Sequence, residues 1–375
     1  MKTLLSLLFT LATVLSYATV RTVSNNPTHP AQYTTFSAAQ TASVAGDTIY
    51  VYGSPFTYPD FTVTKRLVLI GAGYSPNNQF GQPTTLSSII LYRDSGSNDA
   101  SGTVITGFYF TGRVDFGGTL VSNNIQLFRN RHASYINLSG ASPTGYADGW
   151  VIYNNIIESY IFGGGYSRTS SSATNIIIAN NIFNTSSYLY AMNSNTILID
   201  HNVFMGTSTK VNTVFNAIIT NNIFTRTSGN LMNNTVLCTF NNNISNQSTI
   251  GGASEYNPTN SFTANFIGTG GGANSGAGNQ VGVDPLYVTV SSFDTYTATN
   301  NYRLQTSSTG RNAGTDGTDL GIYGGSYPFP TGGVGTQYDT SPMPPIPQVT
   351  AVNIQNATIQ PNGTLNVQVQ GKVNN

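Results

Sequence analysis

The chain has 375 residues, only 7% of them charged, and a formal net charge of +0, which argues against nucleic acid or an anionic membrane as a partner. With 39% hydrophobic residues it is not composed like a disordered chain, so solubility must come from Asn, Ser and Thr. One cysteine, Cys238 in the apolar run VLCTF, excludes an internal disulfide and is expected to be a small buried residue.

Residues 1–18 predict a signal peptide: Lys2, an apolar stretch from Leu4 to Leu15, and the small-x-small triplet Ser16-Tyr17-Ala18. Export to the secreted or outer-surface compartment follows as an expectation. No later apolar run reaches the roughly 18 residues of a membrane span. Phe36 to Val44 predicts the one helix, with Phe36, Ala39 and Val44 on one face, placed to cover an open sheet edge. Short strands follow at Thr48–Tyr52, Phe61–Thr64, Leu67–Ile70, Leu86–Tyr92, Thr103–Thr111 and Ile125–Phe128.

From Asn154 onward one phrase recurs: an apolar run, a polar pair, and two apolar residues. The pairs are Asn154-Asn155, Asn180-Asn181, His201-Asn202, Asn221-Asn222 and Asn242-Asn243, with a weaker copy at Arg129-Asn130 whose register is uncertain. The second members stand at 155, 181, 202, 222 and 243, a period of 20 or 21 with one interval of 26. Apolar runs this short and this rich in Ile and Phe predict strands, and Asn tolerates the left-handed backbone of a tight bend. A unit of about 20 residues built from strands and bends is one coil of a solenoid.

The stretch from Gly46 (GDTIYVYG) through Leu67-Val68-Leu69-Ile70-Gly71, and the ending Asp284-Pro285-Leu286, Tyr302-Arg303-Leu304 and Asp319-Leu320-Gly321-Ile322-Tyr323-Gly324-Gly325, resemble the first and last coils of the pectate-lyase-like superfamily, and the alternating tail Val352, Ile354, Leu365, Val367, Val369 resembles the C-terminal tails of secreted Bacteroidetes-type β-helix proteins. The resemblance covers roughly residues 35–326. It implies an all-β right-handed parallel β-helix over 19–340, with a short N-terminal capping helix. Residues 341–375 then form a Pro-rich linker and a C-terminal β-hairpin tail, turning at Pro361-Asn362-Gly363, that serves either packing or sorting and anchoring.

Enzymes of that family act on acidic polysaccharides, and their chemistry needs clustered carboxylates or a cation beside a base. Here Glu158 and Glu255 are the only glutamates and no acidic pair recurs at the coil period, so no catalytic site, metal or cofactor is expected. If there is catalysis, the candidates are Asp200, His201, Arg168 and Lys210. Asp200-His201 reads either as a base with an orienting carboxylate or as a substitution in the Asn bend. Stacked Asn amides are expected to form a ladder rather than a ligand row. Thr-x-Thr at 62–64, 207–209 and 225–227 does not recur once per coil.

Tyr146, Trp150, Tyr160, Tyr166, Tyr188 and Tyr190 cluster near two long loops, Gly140–Gly149 and Gly163–Asn175. Such rings suit sugar stacking, though some must be core. The leading expectation is therefore a secreted or cell-surface protein with a structural, adhesive or glycan-binding role. Trp150, Tyr146, Tyr166, Tyr188 and Tyr190 would meet an extracellular polysaccharide or a cell-surface component. The alternative is a polysaccharide lyase or glycoside hydrolase.

Overall fold

The computed structural model describes residues 18–74, 82–140, 145–225, 231–246, 275–329, 347–355 and 364–373. The expected signal peptide up to residue 17, the linker at 343–346 and the turn at 361–363 lie outside the described residues. Most strands stack into three sheets of ten, nine and eight strands, and within each sheet every pairing is parallel. Each central coil gives one strand to each sheet: Ile176–Ala179, Ile182–Phe183 and Tyr188–Asn193, then Ile197–Asp200, Val203–Met205 and Val211–Phe215. This is the parallel β-helix expected from the repeat.

Register turns the sequence period into a core. Leu127, Ile152, Ile178, Ile199, Ile219 and Phe240 stand one above another in the first sheet, all fully buried. In the second sheet Phe183, Phe204 and Phe224 stack at 4.4 and 4.7 Å between ring centroids. Each such side chain contributes about 1.5–3 kcal/mol by leaving water. His132 occupies the same column nearer the N-terminus, stacked on Phe110 at 5.0 Å. Burial pulls its imidazole down to about 3, against a smaller opposing effect from Asn155, so it is neutral at physiological pH.

The polar pairs divide their labour. The first member of each is left-handed, with φ of 54° at Arg129, 53° at Asn154 and Asn180, 52° at His201, 58° at Asn221 and 51° at Asn242. The second member points inward and is fully buried. Asn202 shows the pattern. Its Oδ1 accepts from the backbone N and Nδ2 of Asn181, and its Nδ2 donates to Ile178 O, Asp200 O and Asn222 Oδ1. The ladder runs through Asn130, Asn155, Asn181, Asn202, Asn222 and Asn243 to Asn279. The uncertain copy at Arg129-Asn130 is therefore a true rung, and Asn279 adds a rung beyond the last recognised repeat.

The helix spans Phe36–Ala42, capped by Thr35 Oγ1 accepting from Ala38 N. It stops before Val44 because Ser43 is extended, and Val44 is exposed rather than sharing the buried face. Phe36 stacks on Phe61 at 4.6 Å. Gln40 covers the sheet edge directly, with Nε2 donating to Thr62 O and Oε1 accepting from Thr64 N.

At the other end Tyr287–Thr289 and Asn301–Leu304 pair antiparallel. Residues 313–327 then run back along the outside of the bends as a strap. Asn242 Nδ2 donates to Ala313 O, Asn221 Nδ2 to Thr315 Oγ1, Asn180 Nδ2 to Ile322 O and Gly324 O, and Asn154 Nδ2 to Tyr327 O. Pro347–Ile354 and Val367–Val373 form the antiparallel C-terminal hairpin, with Val352, Ile354, Val367 and Val369 exposed. Cys238 is a fully buried thiol outside any disulfide, its Sγ donating to Val214 O and Val236 O, and burial pushes it up to about 12. No helix among the described residues is long and apolar enough to cross a membrane.

Candidate functional site

His201 takes the outward slot of its polar pair, and the strap lies over it. Its Nε2 is 3.2 Å from Thr318 Oγ1 and 3.7 Å from Asp316 Oδ1. Its Nδ1 is 2.8 Å from Asp200 Oδ2 but not aligned for a hydrogen bond. The ring is buried, and a Cβ on Gly325 would come within 2.7 Å of Nδ1, so only glycine lets the strap lie this close. Burial works to raise the Asp316 carboxyl, but hydrogen bonds from Thr318 and the nearby His201 outweigh it and hold the group below its ordinary value. Asp200 Oδ1 meanwhile accepts from Thr220 Oγ1 and Asn221 Nδ2. The Asp200-His201 pair thus belongs to the bend and its cover, with no room for a substrate on the imidazole.

Lys210 is fully buried, so the expectation of a catalytic cation there is corrected. Its Nζ donates to Asn184 O, Thr185 O, Ser187 O and Ser208 Oγ, at 2.8 to 3.2 Å. Carbonyl dipoles replace its water shell, and the ammonium holds a loop between coils together. Arg168 is exposed in the 163–175 loop. The four catalytic candidates therefore occupy three separate settings: covered bend, buried cage and exposed loop.

The aromatic expectation divides. Trp150 is fully buried, with its indole Nε1 donating to Ser122 O at 2.9 Å and its ring edge-on to Phe116 at 5.5 Å. No face of it is open to a sugar, which corrects its assignment as a ligand residue. The tyrosines instead gather on the outer face of the third sheet. Tyr160 lies beside Tyr188 and Phe162 beside Tyr190, because Tyr160–Phe162 pairs in parallel with Tyr188–Asn193.

Ring centroids run Tyr135–Tyr160 at 5.2 Å, Tyr160–Tyr188 at 5.4 Å and Phe162–Tyr190 at 5.6 Å. Tyr166, 59% exposed, closes the patch at 5.4 Å from Phe162 and 6.0 Å from Tyr190. Tyr146 packs on Gly164 at its border. Partial burial, then neighbouring phenols, raise Tyr160, Tyr166 and Tyr188 above the ordinary phenol value, so the face carries hydroxyls without charge.

Sequence reasoning missed Tyr135 and Phe162. A signal existed: Tyr135-Ile136-Asn137, Tyr160-Ile161-Phe162 and Tyr188-Leu189-Tyr190 are one triplet on three successive coils. The middle residue is buried each time, which turns its neighbours outward.

No family model and no curated protein matches the sequence. Among solved structures, pectate lyase Pel9A is similar at 16% identity over 83% of this chain and 96% of that one, with a TM-score of 0.40. A rhamnogalacturonan lyase is similar at 14% identity over 61% of this chain and 68% of that one, with a TM-score of 0.28.

Proposed function

We propose that the protein is an exported β-helix that binds an extracellular glycan on the tyrosine face of its third sheet. The leader-like residues 1–18 support export. The observation that carries binding is the patch of Tyr135, Tyr160, Phe162, Tyr166, Tyr188 and Tyr190 rings, held about one coil apart. Sugar rings present C–H faces that stack on aromatic rings, and their hydroxyls pair with uncharged phenols. A chain with 7% charged residues fits a ligand recognised by stacking and neutral hydrogen bonds.

A glycan array run beside a uronate-release assay tests this. The wild-type chain is expected to bind one glycan class without releasing product. Tyr188→Ala and Tyr166→Ala each weaken binding about fivefold, the worth of one aromatic contact of about 1 kcal/mol. Product formation that vanishes in Arg168→Ala or Asp200→Asn would replace this reading with a polysaccharide lyase or hydrolase.

A further inference from the structure

Two independent features meet at the peptide bond before Thr19. The leader pattern of residues 1–18 ends on Ser16-Tyr17-Ala18, and Ala18 is exposed. The strand ladder begins one residue later, where Thr19 O accepts from Thr48 N at 3.0 Å. Val20–Val23 then pairs in parallel with Thr48–Val51, at the edge of the ten-stranded sheet.

The N of Thr19 donates to Asp47 Oδ1 at 2.8 Å. Asp47 is the one fully buried carboxylate among the described residues. Its Oδ2 accepts from Val44 N at 3.0 Å, just past the capping helix, and meets the Arg21 guanidinium more loosely at 3.5 Å. One side chain thus ties the end of the cap to the first strand. Burial works to raise the Asp47 carboxyl, but the Thr19 and Val44 amides and Arg21 outweigh it and hold the group below its ordinary value. A buried ion is costly unless opposite charge and hydrogen bonds face it. Here the nearest of these three donors is a neutral amide, and it belongs to the residue directly after the leader pattern.

We propose that the chain is cut between Ala18 and Thr19, and that the ammonium left on Thr19 seats on Asp47 and fastens the first strand to the cap. Water adds across the peptide bond and the C–N bond breaks. Ala18 leaves as a carboxylate, Thr19 keeps the nitrogen as an ammonium, and a leader-cleaving protease is the catalyst. The nitrogen already stands at charge-assisted hydrogen-bond distance, and the bond from Thr48 N to Thr19 O holds it there. Processing turns a neutral donor on a buried carboxylate into a charged one, so the exported chain is firmer at its open sheet edge than its precursor. The cut rests on the export reading of residues 1–18.

The seat has a pH signature. An α-amine ordinarily titrates at about 7.7–8.0, and a carboxylate this close raises it in the folded chain. The other groups facing this turn are Arg21, Lys65 with Nζ on Ser43 O, Arg66 with its guanidinium over Gly46, and the Tyr33 phenol beside Arg21. They are the same whether or not the leader is cut. The added stability is therefore fully present at pH 7 and is lost as pH rises through the raised value.

Two measurements test this. N-terminal sequencing of the protein collected outside an exporting host is expected to read Thr19-Val20-Arg21. Thermal unfolding then compares the chain starting at Thr19 with the same chain retaining Ser16-Tyr17-Ala18. The Thr19 chain is expected to melt about 2 °C higher at pH 7, with the difference gone by about pH 10. With Asp47→Asn the two forms are expected to melt together. The pH comparison needs no variant, so it decides the matter even where Asp47→Asn prevents folding.

A chain retained uncut inside the host would sink the export reading and this inference with it. Export with a cut elsewhere would overturn this inference alone. So would equal midpoints for the two Asp47 chains at pH 7, or a difference that persists at pH 10.

Discussion

Two sides of the same coil put polar side chains to opposite uses. At the bend, the inward Asn satisfies its neighbours in the adjacent coils, and the outward residue holds the strap. On the third sheet, Tyr160, Tyr188 and Tyr190 touch mainly one another, and their outer faces stay open. The difference teaches where to look for function in a solenoid. Polar residues that recur in strict period are consumed by the stack itself, whereas rings that rise above the period in only a few coils are available to a ligand.

Breaking the inward side should have the largest effect. Asn202→Leu removes five hydrogen bonds and takes the acceptor from the buried Asn181 N–H and a donor from Ile178 O, while Asp200 O still accepts from Asn180 N and Asn222 Oδ1 from Asn202 N. A loss of about 3–5 kcal/mol is expected in urea unfolding, with the tyrosine face of the surviving folded fraction still binding. A loss below about 1 kcal/mol would mean the ladder is decoration, and the contrast between the two sides would fail.

The interior is also closed to protons, and His132 reports it. Its folded value of about 3 lies below the ordinary 6.5. Between those values the unfolded chain takes up a proton that the folded chain refuses. Stability from this group therefore falls as pH drops, by about 1.4 kcal/mol per unit below pH 6.5. At pH 4.5 the wild type should have lost about 3 kcal/mol from this source relative to pH 7. His132→Phe continues the phenylalanine column and should lose that much less over the same range, measured by urea unfolding at both pH values. Parallel pH profiles for the two proteins would show that the imidazole protonates without opening the core.

The outward side should respond least. Asn180→Gly keeps the left-handed φ of 53° without strain but deletes the amide that donates to Ile322 O and Gly324 O. About 1–2 kcal/mol is expected in unfolding, together with faster amide exchange at Gly324 and Gly325 than at Asn202. Equal exchange at the two places would mean strap and ladder open together.

Much of this was legible in the chain because it repeats. Asn pairs at 20 or 21 residues, flanked by Ile and Phe, specify strand, bend and stacking at once, and the structure places them so. Trp150 was misplaced because an aromatic residue was judged by its neighbourhood rather than its parity. It is two residues before the buried Ile152, so alternation turns it inward as well. The burial of Lys210 was illegible because its partners are backbone oxygens of the preceding coil, which any sequence supplies. The strap was illegible because it joins residues far apart with no common period, such as Asn154 with Tyr327 and Asn180 with Ile322.

The strap has a consequence for how such a chain can change in length. A stack of like coils tolerates insertion or loss of one coil, since each contacts only its neighbours. Here Ala313, Thr315, Thr318, Ile322 and Tyr327 meet the coils of Asn242, Asn221, His201, Asn180 and Asn154 in turn. One coil added between Asn154 and Asn242 would push the far bends about 4.8 Å out of step with those groups. The strap is a ruler laid along the solenoid, and it fixes the number of coils between its two ends.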